Sequence, residues 1–378
     1  MAYSVAAEVD GTIEEAVRHG ASDIHWEPQA NGMRVRYRIH GRLQQVRELP
    51  AGMSESIVIR VKGMARMNVA EKRLPQDGSC SVIVDGRSYD LRIAVLPVLY
   101  GENVVIRILG NSLVKPMLAN IGLTPWQQEM IHFYLHRPYG LIVTGGATGT
   151  GKSTTLYAAL QEIDRQVLNV VTIEDPIEYR VSGINQMQVG ESGRITFAEG
   201  LRSVLRADPD VILVGEIRDA ETAEIAVRAA MTGHLVLATI HARRAEEIPA
   251  RFFEMGVAPY LLAASLTLAM SQRLVGELCP HCRYDVGIKE YVSATGVRRY
   301  RAHASRGCES CFGTGIARRR GVFEILPITA SVRDEWQAGK AAVLSAPQET
   351  IEMRIESLLQ EEAIAWDEAV SMLAEVRS

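Results

Sequence analysis

The chain has no apolar run long enough to cross a bilayer. The longest, Val257–Met270, is too short for that and reads as a buried helix. The N-terminus lacks the basic-then-apolar pattern of a secretory leader. There is no excess of basic charge either: 41 Lys and Arg against 45 Asp and Glu leave a net charge of −4, so composition gives no general case for nucleic-acid binding. Cysteine is scarce, with five in 378 residues. The length predicts two or three domains, and 47% hydrophobic with 23% charged residues is ordinary for a soluble globular protein. These readings point to the cytoplasm, where thiols stay reduced.

Four of the five cysteines nevertheless fall in one segment, as Cys279-x-x-Cys282 and Cys308-x-x-Cys311, separated by 25 residues. A reduced compartment argues against a disulfide frame. Two such pairs complete a closed shell of four thiolates, the form of a structural zinc site. Paired redox motifs are the competing reading. His281 lies inside the first knuckle and is not counted as a ligand. Cys80 sits in a strand-like run and reads as a small core residue.

The strongest signal is "GLIVTGGATGTGKSTTLYAAL". Leu141–Val143 reads as an apolar strand, Gly146 to Ser153 matches GxxxxGK[ST], and Thr154–Leu160 reads as a helix; that context confirms a phosphate-binding loop. The candidate nucleotide-binding residues are Gly146, Thr148, Gly149, Thr150, Gly151, Lys152, Ser153 and Thr154. The glycines let backbone N–H groups approach phosphates, and the helix N-terminus favours negative charge. Lys152 would pair with the β- and γ-phosphates of ATP, and Ser153 would ligate magnesium.

Three later apolar runs each end in polar groups. "NVVTIEDPIEY" ends in Glu174, Asp175 and Glu178; "DVILVGEIRD" in Glu216, Arg218 and Asp219; "HLVLATIHA" in His241. Continuous apolar runs between helical stretches predict an α/β domain with parallel strands buried on both faces. Ligands of such sheets sit at the carboxyl ends of the strands, so these polar groups should converge on the nucleotide. Glu216 would support magnesium or order water. Asp175 and Glu216 have a competing reading as helix caps. His234 precedes and His241 follows one strand, so both cannot touch one phosphate within a subunit.

The front of the chain reads as α+β. Thr12-x-x-Glu15 looks like a capping box, with Gly20 stopping its helix. Met33, Val35, Tyr37 and Ile39 alternate with Arg34, Arg36 and Arg38, a half-buried strand with one basic face. Tyr89, Leu91, Ile93 and Val95 share a face opposite Arg92. Arg107 shares a face with Val105 and Leu109 and there needs an anionic partner.

Taken in order, "ASDIHWEP", "GGATGTGKST", "TIEDPIEY", "LRADPDVILVGEIRDAETAEIAVRAAMTGHLVLATIHA" and the two CxxC pairs resemble the assembly ATPases of type II secretion, type IV pili and competence pseudopili, from about Ala21 to the end. The resemblance implies a RecA-like P-loop NTPase domain over 111–378, a smaller α+β (PAS-like) domain over 1–110, and a zinc-binding subdomain inserted at 278–315. It implies a homohexamer that hydrolyses ATP at the cytoplasmic face of the plasma membrane. Its partners would be an inner-membrane platform protein and, indirectly, pilins or pseudopilins, with no direct nucleic acid. Glu178 would be the general base that activates water, Glu216 the Walker B acid supporting magnesium, and Arg92 and Arg107 the pair that reaches the nucleotide phosphates. Asp175 belongs to the family's aspartate-rich box and His234 and His241 to its histidine box. Within the family the tetracysteine marks extension or secretion motors. Ala242 stands where the family often has Thr. The short stretch before "ASDIH" resembles the form without an extra N-terminal docking domain. The readings set against this one are a retraction or DNA-translocating ring and a nucleotide-gated scaffold without turnover.

Overall fold

The computed structural model describes residues 4–109, 116–190, 195–293, 296–338 and 347–377. The expected domain boundary at 110/111 lies outside the described residues. The chain forms two compact units.

The first unit takes residues 1–113 together with 278–284 and 305–318. Its order is α1 (Val5–Arg18), β1 (Asp23–Gln29), β2 (Gly32–Ile39), β3 (Arg42–Pro50), α2 (Ala51–Met64), β4 (Gln76–Val84), β5 (Arg87–Val98) and β6 (Gly101–Leu109). The six strands form one antiparallel sheet, β3-β2-β1-β6-β5-β4. The alternation in β2 decides its orientation. Met33, Val35, Tyr37 and Ile39 are buried and share a core with Val9 and Ile13 of α1 and Ile57 and Val61 of α2. The arginines between them are left on the open face.

The Thr12 capping box is not formed. Helix α1 begins at Val5, and Ser4 Oγ accepts from Ala7 N at 3.4 Å. Thr12 lies within the helix and is fully buried, while Glu15 accepts from the Tyr37 hydroxyl at 3.0 Å. The apolar stripe Val9–Ile13–Ala16 extends the helix N-terminally past the local cap signal. Gly20 does follow the helix, at φ +64°.

The second unit takes 114–277, 285–304 and 319–378. Its sheet, ordered β15-β12-β7-β11-β10-β8-β9, is built from β7 (Gly140–Gly145), β8 (Val170–Glu174), β9 (Asn185–Gln188), β10 (Val211–Val214), β11 (Leu235–Ile240), β12 (Leu266–Leu278) and β15 (Ile316–Pro327). From β12 through β9 every neighbouring pair is parallel. Alternate residues of β7 point to opposite cores. Leu141 and Val143 meet α5 (Phe197–Val204), α6 (Ala220–Met231), α7 (Glu247–Glu254) and α8 (Pro259–Ser265), whereas Ile142 meets α3 (Pro125–Leu135) and α4 (Lys152–Gln161). The sheet is therefore covered on both faces, and its strands read as unbroken apolar runs. A hairpin of β13 (Arg283–Ser293) and β14 (Gly296–Ser305) shares a small core with α10 (Ile351–Gln360) and α11 (Trp366–Arg377) through Tyr291 and Tyr300; α9 (Ala330–Gln337) follows β15 in the chain.

The run Val257–Met270 is not one helix. It divides at Ser265/Leu266 into α8 and the start of β12. Leu266, Leu268, Ala269 and Met270 pair with β7, and the stretch is buried throughout, a setting in which helix and strand are alike in pattern.

Candidate nucleotide-binding site and cysteine cluster

β7 ends at Gly145 and the chain turns through Gly146, Gly149 and Gly151 at φ +156°, +79° and +88° before α4 begins at Lys152. A β-carbon on Gly146 would lie 2.4 Å from Thr150 Oγ1, so only glycine fits there. Successive residues in these conformations form an anion-binding concavity capped by a helix N-terminus. Lys152 Nζ donates to the carbonyls of Gly146 at 2.8 Å and Ala147 at 3.0 Å, which draws the ammonium across the loop. Thr148 and Gly149 are exposed on the loop, and Ser153 and Thr154 are half-buried in the first turn of α4. Thr150 Oγ1 donates to Ala147 O at 2.9 Å.

The acids arrive from the carboxyl ends of neighbouring strands. Glu216 follows β10 by two residues and is pinned on both sides: Thr239 Oγ1 donates to Gly215 O at 2.6 Å, and Ile217 N to Thr239 O at 2.9 Å. Its carboxylate lies 2.6 Å from His241 Nε2 and 2.5 Å from Arg218 Nη2. Burial lowers the Lys152 ammonium below its usual range, the charges of Glu216 and Glu178 pull it back up, and Arg218 adds to the lowering. Lys152, Glu178, Glu216 and Arg218 thus form one electrostatic cluster. The bond to Glu216 raises Arg218, and Asp175 adds to that rise. Asp175 and Glu178 are exposed on the loop after β8. Ser153 and Glu216 carry oxygen donors of the kind that magnesium takes.

One expectation needs correction. Glu174 does not converge on the loop mouth: it is 5% exposed and faces inward, accepting from the Tyr157 hydroxyl and from Thr172 Oγ1, each at 2.5 Å. The two histidines stand at opposite ends of one strand, as their spacing predicts. His234 stands at the amino end of β11, with Nδ1 3.0 Å from Ala229 O, while His241 follows the carboxyl end of that strand.

Arg92 and Arg107 lie in the first unit. They are direct cross-strand partners on β5 and β6. Arg107 is not on an apolar face. Val104 and Ile106 are buried, and the Arg107 side chain is 68% exposed, with Nε donating to Asp23 Oδ1 at 3.1 Å.

Gln272 went unnoticed in the sequence. It is 2% exposed on β12, and its Nε2 donates to Thr150 O at 2.7 Å, bracing the phosphate loop from below. The available signal was an amide that follows the apolar start of this strand, between Ser271 and Arg273.

The four cysteines of the two CxxC pairs come together. All four sulfurs lie within 4.8 Å of one another. Three pairs, Cys279–Cys308, Cys282–Cys311 and Cys308–Cys311, stand at 3.8, 3.8 and 3.7 Å. A tetrahedron with zinc–sulfur legs of about 2.3 Å has edges of about 3.8 Å, so the donor set fits zinc. The Cys308 and Gly315 N–H groups each reach Cys311 Sγ at 3.2 Å. His281 is exposed outside the cluster, and Cys80 is half-buried against the sheet core. The knuckles also touch the front sheet: Arg42 Nη1 donates to Thr314 O at 2.9 Å, and the Phe312 ring centroid is 4.2 Å from that of His19.

The profile of the family described as Type II/IV secretion system protein matches residues 2–376. A type II secretion system protein E from Klebsiella pneumoniae is 43% identical over 330 residues, 86% of this chain and 66% of that protein. The type IV pilus assembly ATPase PilB of Thermus thermophilus is 42% identical over 344 residues, 88% of this chain and 38% of PilB. The chain therefore spans about two thirds of the first relative's length and well under half of the second's. Among solved structures, the pilus retraction motor PilT with bound ADP superposes with a TM-score of 0.65 at 27% identity, covering 95% of each chain.

Proposed function

The chain belongs to the type II/IV secretion system protein family, and from that membership we propose that it is the ATP-hydrolysing motor of a type II secretion or type IV pilus-like assembly machine. It works as a homohexamer at the cytoplasmic face of the plasma membrane, against an inner-membrane platform protein. Turnover serves protein secretion, pilus extension or DNA uptake. No helix among the described residues is long and apolar enough to cross a membrane, which fits attachment through a partner.

The observation that carries this reading is the cluster of Lys152, Glu178 and Glu216 at the carboxyl end of a parallel sheet. Lys152 binds the β- and γ-phosphates of ATP. Glu178, exposed at the loop mouth, takes the proton of the attacking water. Glu216 and Ser153 would hold magnesium, which would supply positive charge against the phosphates. Arg92 and Arg107 present planar forks to the phosphates and take up charge in the transition state. The tetracysteine cluster, loaded with zinc, marks an extension or secretion motor.

The test is steady-state ATPase activity at rising protein concentration, wild type beside Glu178→Gln, with zinc assayed on the same samples. Activity that rises with concentration, collapses in the variant and accompanies one zinc per chain supports the motor. Normal turnover in Glu178→Gln removes Glu178 as base. No turnover in either protein at any concentration removes the claim that the isolated chain is a competent ATPase.

A further inference from the structure

The loop that carries Asp175 and Glu178 begins at a buried acid with no part in the chemistry described so far. Glu174 closes β8 and is 5% exposed. Its Oε2 accepts from the Tyr157 hydroxyl and its Oε1 from Thr172 Oγ1, both at 2.5 Å. Gln186 Nε2 lies 3.3 Å from Glu174 Oε1, 3.1 Å from the Tyr157 hydroxyl and 2.7 Å from Tyr179 O. The same amide's Oε1 accepts from Val181 N at 2.9 Å. The Tyr157 and Tyr179 rings meet edge to face, with centroids 4.9 Å apart.

These contacts have a direction. Tyr157 sits on α4 five residues after Lys152, so it reports the position of the phosphate-loop helix. Glu174 lies just before the acidic loop and Tyr179 just after Glu178. Gln186 holds Glu174 at one end of the loop and Tyr179 with Val181 at the other. The side-chain hydrogen bonds that Glu174 accepts among the described residues come from neutral donors, Tyr157, Thr172 and Gln186. A buried acid held this way is a poor source of stability compared with apolar packing. It is a good device for fixing one geometry, because each bond has a narrow direction and each unmet donor is costly.

We propose that Glu174 is a positioning residue which, through Tyr157 and Gln186, locks the Asp175–Glu178 loop to the helix that begins at Lys152, and so sets Glu178 at its distance from the γ-phosphate. This rests on Glu178 being the base. The bond between Tyr157 and Glu174 makes phosphate binding and water activation parts of one rigid piece.

The experiment compares wild type with Glu174→Gln, Tyr157→Phe, their double variant and Glu178→Gln, each in the full chain. It measures kcat and KM for ATP, the Kd of a fluorescent ATP analogue, and the melting temperature. Tyr157→Phe removes one hydroxyl and keeps the ring packing, so it serves if Glu174→Gln folds poorly. Misplacing a catalytic group by about 1 Å costs on the order of 100-fold. The expected result is a fall in kcat of roughly that order for Glu174→Gln, a smaller fall for Tyr157→Phe, and a double variant no worse than the worse single. Nucleotide Kd stays within about twofold, because uniform binding is untouched. A Kd that weakens in step with kcat overturns the proposal, since the network then merely shapes the phosphate loop. So does normal turnover in both Tyr157→Phe and Glu174→Gln while Glu178→Gln is inactive. Full turnover in Glu178→Gln, whatever the others do, overturns the assignment of the base instead.

Discussion

Arg92 and Arg107 face each other directly across β5 and β6, on the exposed side of the front sheet. Like charges opposed in this way are destabilising, and Asp23 relieves only Arg107 through the 3.1 Å bond. A pair kept for stability would not be arranged so. Replacing Arg92 with Gln should leave the melting temperature unchanged or raise stability by about 0.2–1 kcal/mol, while ATP turnover falls sharply. A thermal melt beside an ATPase assay checks both. A variant that melts lower with turnover intact makes these arginines structural.

Gly190 should tolerate no side chain. Its φ is +95°, and a β-carbon there would stand 2.3 Å and 2.6 Å from the Asp175 carboxylate oxygens. Gly190→Ala is expected to cost at least about 1 kcal/mol, because alanine is strained at positive φ. It should also displace the acidic loop and lower kcat. Denaturant unfolding and steady-state kinetics test it together. Wild-type stability and turnover would mean that the loop yields freely.

The phosphate loop was legible because its signal is local: three glycines and a lysine define a backbone path whatever surrounds them. The basic face of β2 was legible because alternation survives wherever one side of a sheet stays open. Legibility failed where tertiary packing overrode local pattern. Thr12-x-x-Glu15 satisfies a cap consensus, yet the apolar stripe of α1 carries the helix back to Ser4. Glu174 and Glu178 are alike in sequence, but Glu174 closes a strand buried along its whole length, and Glu178 stands four residues on, in the exposed loop. Tyr157 reads as an ordinary apolar-face residue until Glu174 is seen against its hydroxyl. The gathering of the four cysteines was legible in their spacing, but the contact of the second pair's loop with the front sheet and helix joins residues far apart in the chain, and nothing local could reveal it.

That contact yields a prediction about metal removal. Thr314 and Phe312 belong to the second knuckle and meet Arg42 and His19 of the front sheet and helix. Zinc extraction by a chelator, or Cys308→Ser, should free the knuckle and lower the melting temperature of the first unit, with hydrogen exchange rising around Arg42 and Thr314. Exchange unchanged at Arg42 after the metal is gone would show that the contact stands without it.

Tyr157 also gives stability a pH dependence whose sign follows from its surroundings. Burial raises its hydroxyl first, and the charge of Glu174 with the bond to it raises it further. Tyr37 is raised too, by burial and then by Glu8. In the unfolded chain a tyrosine ionises near pH 10. Above that pH the unfolded state binds fewer protons than the folded one, so stability, fully present below about pH 10, must fall as pH rises. Tyr157→Phe removes one such group, and its stability relative to wild type should improve steadily from about pH 10 upward. Chemical denaturation at a series of alkaline pH values measures the difference. A constant difference across that range would mean that the Tyr157 hydroxyl is not held protonated, and with it would go the short bond to Glu174.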